Sequence, residues 1–193
     1  MAHSSILLCG VGGQGILLAA KIVGAAAEIS GFPVVANETH GMAQRGGSVR
    51  AIVKFGGDAR SPLLLEGTAD AIAALEPVEA LRWAHFLKPG GLAVVNVRPV
   101  VPVTVSSGKA EYPADVAARL KRVFPALVAC DCEAEAEAMG YPKLANTILA
   151  GMLSRGLPLP EESWREAIAR CVKPAFLEAN LSAFTFGRGL QNN

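Results

Sequence analysis

Charge is scarce in this chain. Only 18% of its 193 residues are charged, and 18 Lys and Arg against 17 Asp and Glu leave a net charge of +1 and a pI near 7.7. The bases are scattered, so the chain carries no electrostatic footprint for nucleic acid. Long apolar runs are also missing, although 51% of the residues are hydrophobic and the mean hydropathy is +0.35. No stretch reaches the roughly 20 uninterrupted apolar residues of a membrane-spanning helix. The best stretch, ILLAAKIVGAAAEIS, contains Lys21 and Glu28. MAHSSILLCG lacks the basic region and full-length apolar segment of a secretory signal and reads as a first strand; the expected location is the cytoplasm. Cysteine is confined to Cys9, Cys130, Cys132 and Cys171, at spacings that fit neither a disulfide framework nor a zinc or four-iron site. Cys9 closes an apolar strand and reads as a buried thiol. The Cys-Asp-Cys at 130–132 has no neighbouring ligands to complete a metal site.

What is present is an alternation of apolar runs with helix-period segments, the mark of an α/β fold with a mostly parallel sheet. SILLCG predicts a first strand, Gly13 to Ser30 a helix, and GFPVVANE a second strand ending near Asn37. GSVRAIVKFG alternates as a third strand with a half-exposed face should. ADAIAAL reads as a buried strand and PVEALRWAHFL as a helix opened by proline and stopped by KPGG. LAVVNV is a strand, VVPVTV an edge segment because Pro99 and Pro102 cannot donate to a ladder, AEYPADVAARLKRVF a helix, and ALVACD a short strand. From Glu133 the chain turns helical in four runs. The expectation is one domain, a Rossmann-like three-layer fold, with an α/β core over about residues 1–132. A helical segment over about 133–193 covers the sheet or reaches a neighbour. The apolar excess for so small a charge places part of the surface against a partner, with self-association of the isolated chain as a further expectation.

Chemistry concentrates in two places. CGVGGQGILLAAKIVG puts Gly10, Gly12 and Gly15 in a G-x-G-x-x-G after a strand and at the start of a helix, with Gly13 and Gln14 between. Such a turn lets backbone approach phosphate and aims a helix N-terminus at its charge. Glu38, 23 residues after Gly15, falls where an acidic residue meets a ribose hydroxyl in dinucleotide sites. No lysine followed by Ser or Thr occurs in the turn, which excludes a P-loop. The bland reading, a tight turn for helix packing with no ligand, stands beside the nucleotide one. The second place is NETHGMAQRGGSV, which sets Glu38, Thr39, His40, Gln44, Arg45 and Ser48 among Gly41, Gly46 and Gly47. It reads as a long polar loop at the carboxyl edge of the sheet, where open α/β folds place ligands. Arg45 beside two glycines offers a planar donor fork for carboxylate or phosphate. Histidine as a residue type changes charge near neutrality, which makes His40 a candidate, although a lone loop histidine more often packs or hydrogen-bonds.

Together, GVGGQGI and ETHGMAQRGGSV resemble the gamma-type subunit of 2-oxoacid:ferredoxin oxidoreductases, and HGMAQRGG is most similar to the wording of the small (beta) subunit of indolepyruvate ferredoxin oxidoreductases. ADAIAALEPVEALR, LKPGGLAVVN and KLANTILAG resemble the family's later blocks, so the likeness runs from Ile6 to about Gly151. It implies a catalytic partner subunit that bears thiamine diphosphate and iron–sulfur clusters, ferredoxin reached through the complex, and coenzyme A as co-substrate. The chain lacks the thiamine signature GDG followed by NN and lacks cluster-type cysteine runs. The resemblance therefore implies a non-catalytic subunit with no cofactor or metal of its own. Its glycine turn and RGG loop would form an interface or shape the approach of coenzyme A.

Two other readings stand beside this one. A freestanding nicotinamide or flavin reductase would use the same glycine turn, but no Tyr and Lys pair follows it; Tyr112 and Tyr141 each directly precede a proline. A pure binding scaffold would associate through the apolar helices after Lys143.

Overall fold

Strands that are apolar on both faces go to the middle of a sheet, and the first strand is one of these. The computed structural model describes residues 3–40, 46–57, 59–100 and 111–190. In it β1 (His3–Val11) is buried from Ser4 onward. Alternate side chains separate to opposite faces: Ile6 and Leu8 join one core cluster, Leu7 and Cys9 the other. β4 (Ala69–Ala74) and β5 (Leu87–Asn96) divide likewise, with Ala71, Ala73 and Val94 on the first side and Ile72, Ala74, Ala93 and Val95 on the second.

With β2 (Val34–His40), β3 (Ser48–Gly56) and β6 (Leu127–Cys130), the sheet order is β2-β3-β1-β4-β5-β6. The pairs β1/β4, β4/β5 and β5/β6 are parallel, and β3 runs antiparallel to both β1 and β2. The half-exposed third strand is more enclosed than expected, with only Ser48, Arg50 and Lys54 partly exposed. It is an inner strand, and β2 is the edge.

Helix α1 (Ile16–Ile29) starts three residues later than its periodicity predicts. Gly13 and Gly15 stand at φ 106° and 86°, a left-handed backbone that cannot belong to a right-handed helix. Ala19, Ala20, Ile22, Val23, Ala26 and Ala27 are buried. On the opposite side of the sheet lie α2 (Pro77–Trp83) and α3 (Val116–Val123), which contribute Ala80, Val116 and Leu120. KPGG does not end α2. It lies in β5, where pairing shifts between Ala69↔Leu87 and Ala71↔Leu92 and Gly90 takes a positive φ. The edge segment expected in VVPVTV falls almost wholly on residues 101–110, outside the described residues.

The C-terminal run is α4 (Cys132–Ala138), α5 (Ala145–Ser154), α6 (Glu161–Cys171) and α7 (Leu177–Gly189). These helices cover the sheet beside α1: Ile148, Met152, Trp164, Ile168 and Phe184 share its cluster. Between α5 and α7 the backbones touch, because a methyl group on Gly187 would lie 2.0 Å from the Ile148 carbonyl oxygen. Among the described residues no helix is long and apolar enough to cross a membrane.

Candidate functional site: a glycine turn clamped to a hairpin

The glycine turn and the RGG segment meet. Past the last pair of the β1/β3 ladder, Val11↔Ser48, the Gly12 amide donates to the Gly47 carbonyl at 2.8 Å and the Gly46 amide to the Gly12 carbonyl at 3.5 Å. Seven residues separate the two strand ends in sequence, His40 and Ser48, so the expected long loop is a β2–β3 hairpin. Asn37, Glu38, Thr39 and His40 belong to β2, with Glu38 opposite Ala51 and His40 opposite Val49. Glu38 and Thr39 are exposed. Gly41, Gln44 and Arg45 lie outside the described residues.

This topology corrects the dinucleotide reading of Glu38. In the classic nucleotide fold the second strand lies directly beside the first. Here β3 turns back and takes that place, moving Glu38 two strands, roughly 10 Å, from β1. Beside the turn lies an open hollow of about 290 Å³ lined by Val11, Gly12, Gly13, Gly15, Ile16, Leu17 and Val49, apart from the backbone an apolar surface.

Gln14 points inward. Its Oε1 accepts from the Val11 amide at 2.8 Å, and its Nε2 donates to the Leu75 carbonyl at 2.7 Å and lies 3.5 Å from Glu133 Oε1. Gly10 leaves room for it, since a Cβ there would stand 2.9 Å from Gln14 Oε1. Asn96, fully buried, also donates to the Leu75 carbonyl at 2.9 Å, and its Oδ1 accepts from the Cys132 amide at 2.9 Å. The ends of β1, β4 and β5 and the start of α4 are thus tied through two amide side chains.

Glu133 closes this network with an unpaired buried oxygen, Oε2. Burial pushes its carboxyl above the ordinary range, against a lowering hydrogen bond from Asn96. A raised folded-state value means that the folded chain holds the proton more tightly. Stability is therefore fullest below the ordinary glutamate range and is lost as pH rises through the folded value. Glu133→Gln should consequently stabilise the chain at pH 7 and lose that advantage in acid. Urea denaturation at both pH values checks this, and an equal gain at both would refute it.

A second cluster lies across the sheet. Glu76, buried, accepts from the Glu79 amide at 2.8 Å as the N-cap of α2 and from the Tyr112 hydroxyl at 2.6 Å. Burial, then the bond to Glu76, push the Tyr112 phenol well above its ordinary range. Glu79, 6% exposed, accepts from Ser48 Oγ at 2.5 Å, Arg82 Nε at 2.9 Å and Trp83 Nε1 at 3.2 Å. The Cys9 thiol, buried as its strand predicts, is pushed up by desolvation and then by Glu79 and Glu76. Neither glutamate stands out among the candidates drawn from sequence. The available signal was Glu-Pro-x-Glu, a capping pattern with proline at the first helical position. Cys132 is buried and Cys130 half-buried. Their mutual hydrogen bond lowers the Cys130 thiol and, together with burial, raises that of Cys132. Among the described residues no three His, Cys, Asp or Glu side chains converge as a metal site would require.

The family model for pyruvate ferredoxin/flavodoxin oxidoreductase matches residues 5–190. An indolepyruvate oxidoreductase subunit IorB of Thermococcus kodakarensis is 43% identical over 194 residues, 97% of this chain and 95% of that one. Among solved structures, the gamma subunit of a keto/oxoacid ferredoxin oxidoreductase from Geobacter sulfurreducens superposes with a TM-score of 0.69 at 26% identity, covering 95% of each chain. A 2-oxoglutarate:ferredoxin oxidoreductase from Magnetococcus marinus, solved with 2-oxoglutarate, coenzyme A and succinyl-CoA, shares the fold. Its TM-score is 0.71 at 19% identity, and the match covers 97% of this chain and 31% of that one. Nothing in these likenesses supports a freestanding nicotinamide or flavin reductase, and the resemblance drawn from the two glycine motifs is borne out: the chain belongs to the pyruvate ferredoxin/flavodoxin oxidoreductase family.

Proposed function

We propose that this chain is the small, non-catalytic subunit of a cytoplasmic 2-oxoacid:ferredoxin oxidoreductase, which oxidatively decarboxylates a 2-oxo acid to an acyl-CoA and reduces ferredoxin. Indolepyruvate or another aryl pyruvate is the favoured substrate, supported by the 43% identity to the Thermococcus subunit. The partner subunit carries thiamine diphosphate and iron–sulfur clusters, and this chain contributes one gamma-type domain over residues 1–193. The isolated chain is inactive and self-associates through the surface its partner would cover.

The observation that carries the site is the Gly12–Gly47 hydrogen bond at 2.8 Å, which joins the glycine turn and the RGG segment into one edge. Of the two motifs, Glu38, Thr39, His40, Gln44, Arg45, Gly46, Gly47 and Ser48 serve contact with the partner and the approach of coenzyme A. The apolar hollow beside Gly12, Gly13 and Gly15 suits an uncharged arm, and Arg45 has the fork geometry that phosphate recognition uses.

Anaerobic affinity purification of the tagged chain should recover a brown complex containing a large chain with the thiamine signature. A colourless chain recovered alone would refute the subunit reading. Within that complex, Arg45→Ala should raise KM for coenzyme A about tenfold, the usual scale for one lost charge-assisted contact. No change in either that constant or assembly would sink the role given to the hairpin.

A further inference from the structure

We propose that Glu79 is a positioning residue that sets the hairpin against the glycine turn, an inference that rests on the coenzyme A reading above. The buried carboxylate gathers donors from two separate parts of the fold. Arg82 and Trp83 belong to its own helix, but Ser48 is the first residue of β3, directly after the two glycines. A second link runs parallel to the first: the Arg50 guanidinium lies over the Trp83 ring, 4.6 Å from its centroid, and Glu79 holds that ring through its indole N–H.

The hairpin foot is therefore fixed on two sides. Gly12 holds Gly46 and Gly47 through backbone hydrogen bonds. Glu79 holds Ser48 directly, and Arg50 through Trp83. Backbone bonds between glycines fix a distance but leave the twist of the strand soft, because glycine restricts backbone rotation least. The side-chain links on Ser48 and Arg50 supply that restraint. Glu79 is buried and Ser48 half-buried, and a charge-assisted bond is among the stronger ones. The cost of desolvating a buried carboxylate largely offsets what its partners return, so the contacts of Glu79 are weak evidence for a role in stability.

The test uses the purified complex with Glu79→Gln, Ser48→Ala and the double variant, measured by hydrogen exchange and by steady-state kinetics. Glu79→Gln should speed exchange over β2 and β3 while α5–α7 stay protected. It should raise KM for coenzyme A roughly tenfold with kcat held within about twofold. The double variant should be no worse than Glu79→Gln, the sign that both act through one bond. Unchanged exchange would overturn the inference whatever the kinetics. Faster exchange with an unchanged KM would also overturn it if Arg45→Ala raises that constant. Should Arg45→Ala move neither KM nor assembly, the coenzyme A reading itself falls, and the functional part of this inference falls with it.

Discussion

Asn96→Ala should cost the chain roughly 3–4 kcal/mol, with a fall in Tm of about 6–16 °C for a domain of this size. Asn96 is wholly buried and serves three elements at once: it donates to the Leu75 carbonyl after β4 and accepts from the Cys132 amide at the start of α4 and, at 3.4 Å, from the Arg98 amide. Truncation leaves the Cys132 amide without its acceptor, and the Leu75 carbonyl keeps only Gln14. An orphaned buried group costs more than a net hydrogen bond returns, which is why the loss exceeds that for an exposed asparagine. Asn96→Asp separates this account from simple cavity formation. It keeps the acceptor for Cys132 but turns a carboxylate oxygen toward the Leu75 carbonyl, so it should be worse than alanine at pH 7 and recover as pH falls. Thermal unfolding at pH 5 and pH 7 decides; an alanine variant within about 0.5 kcal/mol of the parent, the range of ordinary surface changes, would remove Asn96 from the centre of the network.

Much of this architecture is legible in the sequence, for definite reasons. β1 and β4 are short, dense apolar runs, and four helical runs follow Glu133, so period and length suffice to place them. The order of the sheet is not legible. β2 reads as a strand that joins β1 through a helix, and nothing local says that β3 will return antiparallel and take the inner position. That choice rests on β3 being the more apolar of the two, with Val49, Ala51, Ile52, Val53 and Phe55 buried while Ala36, Asn37, Glu38 and Thr39 lie exposed on β2. The same displacement undoes the dinucleotide role of Glu38, whose spacing fits and whose place does not. At the site, Gly12 and Gly47 are legible as motif residues but not as partners, since 34 residues of chain separate them. Glu79 and Glu133 stay hidden for another reason: glutamates on short helices read as solvated, and only tertiary packing buries them. KPGG misleads because lysine, proline and glycine stop helices and also make bulges, and pairing alone decides between the two.

Gly15→Ala should be the most damaging change within the glycine turn, at roughly 2–4 kcal/mol, while Gly13→Ala should cost only about 1–2 kcal/mol. Both glycines hold a left-handed backbone, φ 86° at Gly15 and φ 106° at Gly13, so both variants carry backbone strain. They differ in what a methyl group meets. At Gly13 nothing lies within 4 Å, whereas at Gly15 the new carbon would stand 2.6 Å from Asn146 Nδ2 and 3.2 Å from its Cγ. Asn146 cannot swing away cheaply. It is 4% exposed, donates to the Gly15 carbonyl at 3.3 Å and accepts from Thr147 Oγ1 at 3.4 Å. The turn that opens α1 is therefore seated on α5, and its shape depends on a helix more than a hundred residues away in sequence. Removing the obstruction tests this: Gly15→Ala combined with Asn146→Ala should lose clearly less than the two single losses added together, as coupled neighbours do. Strict additivity would mean that strain alone sets the cost at Gly15. Coupling would mean that the C-terminal helices hold the glycine turn in the shape that meets Gly47, and that changes on α5 reach the hairpin through it.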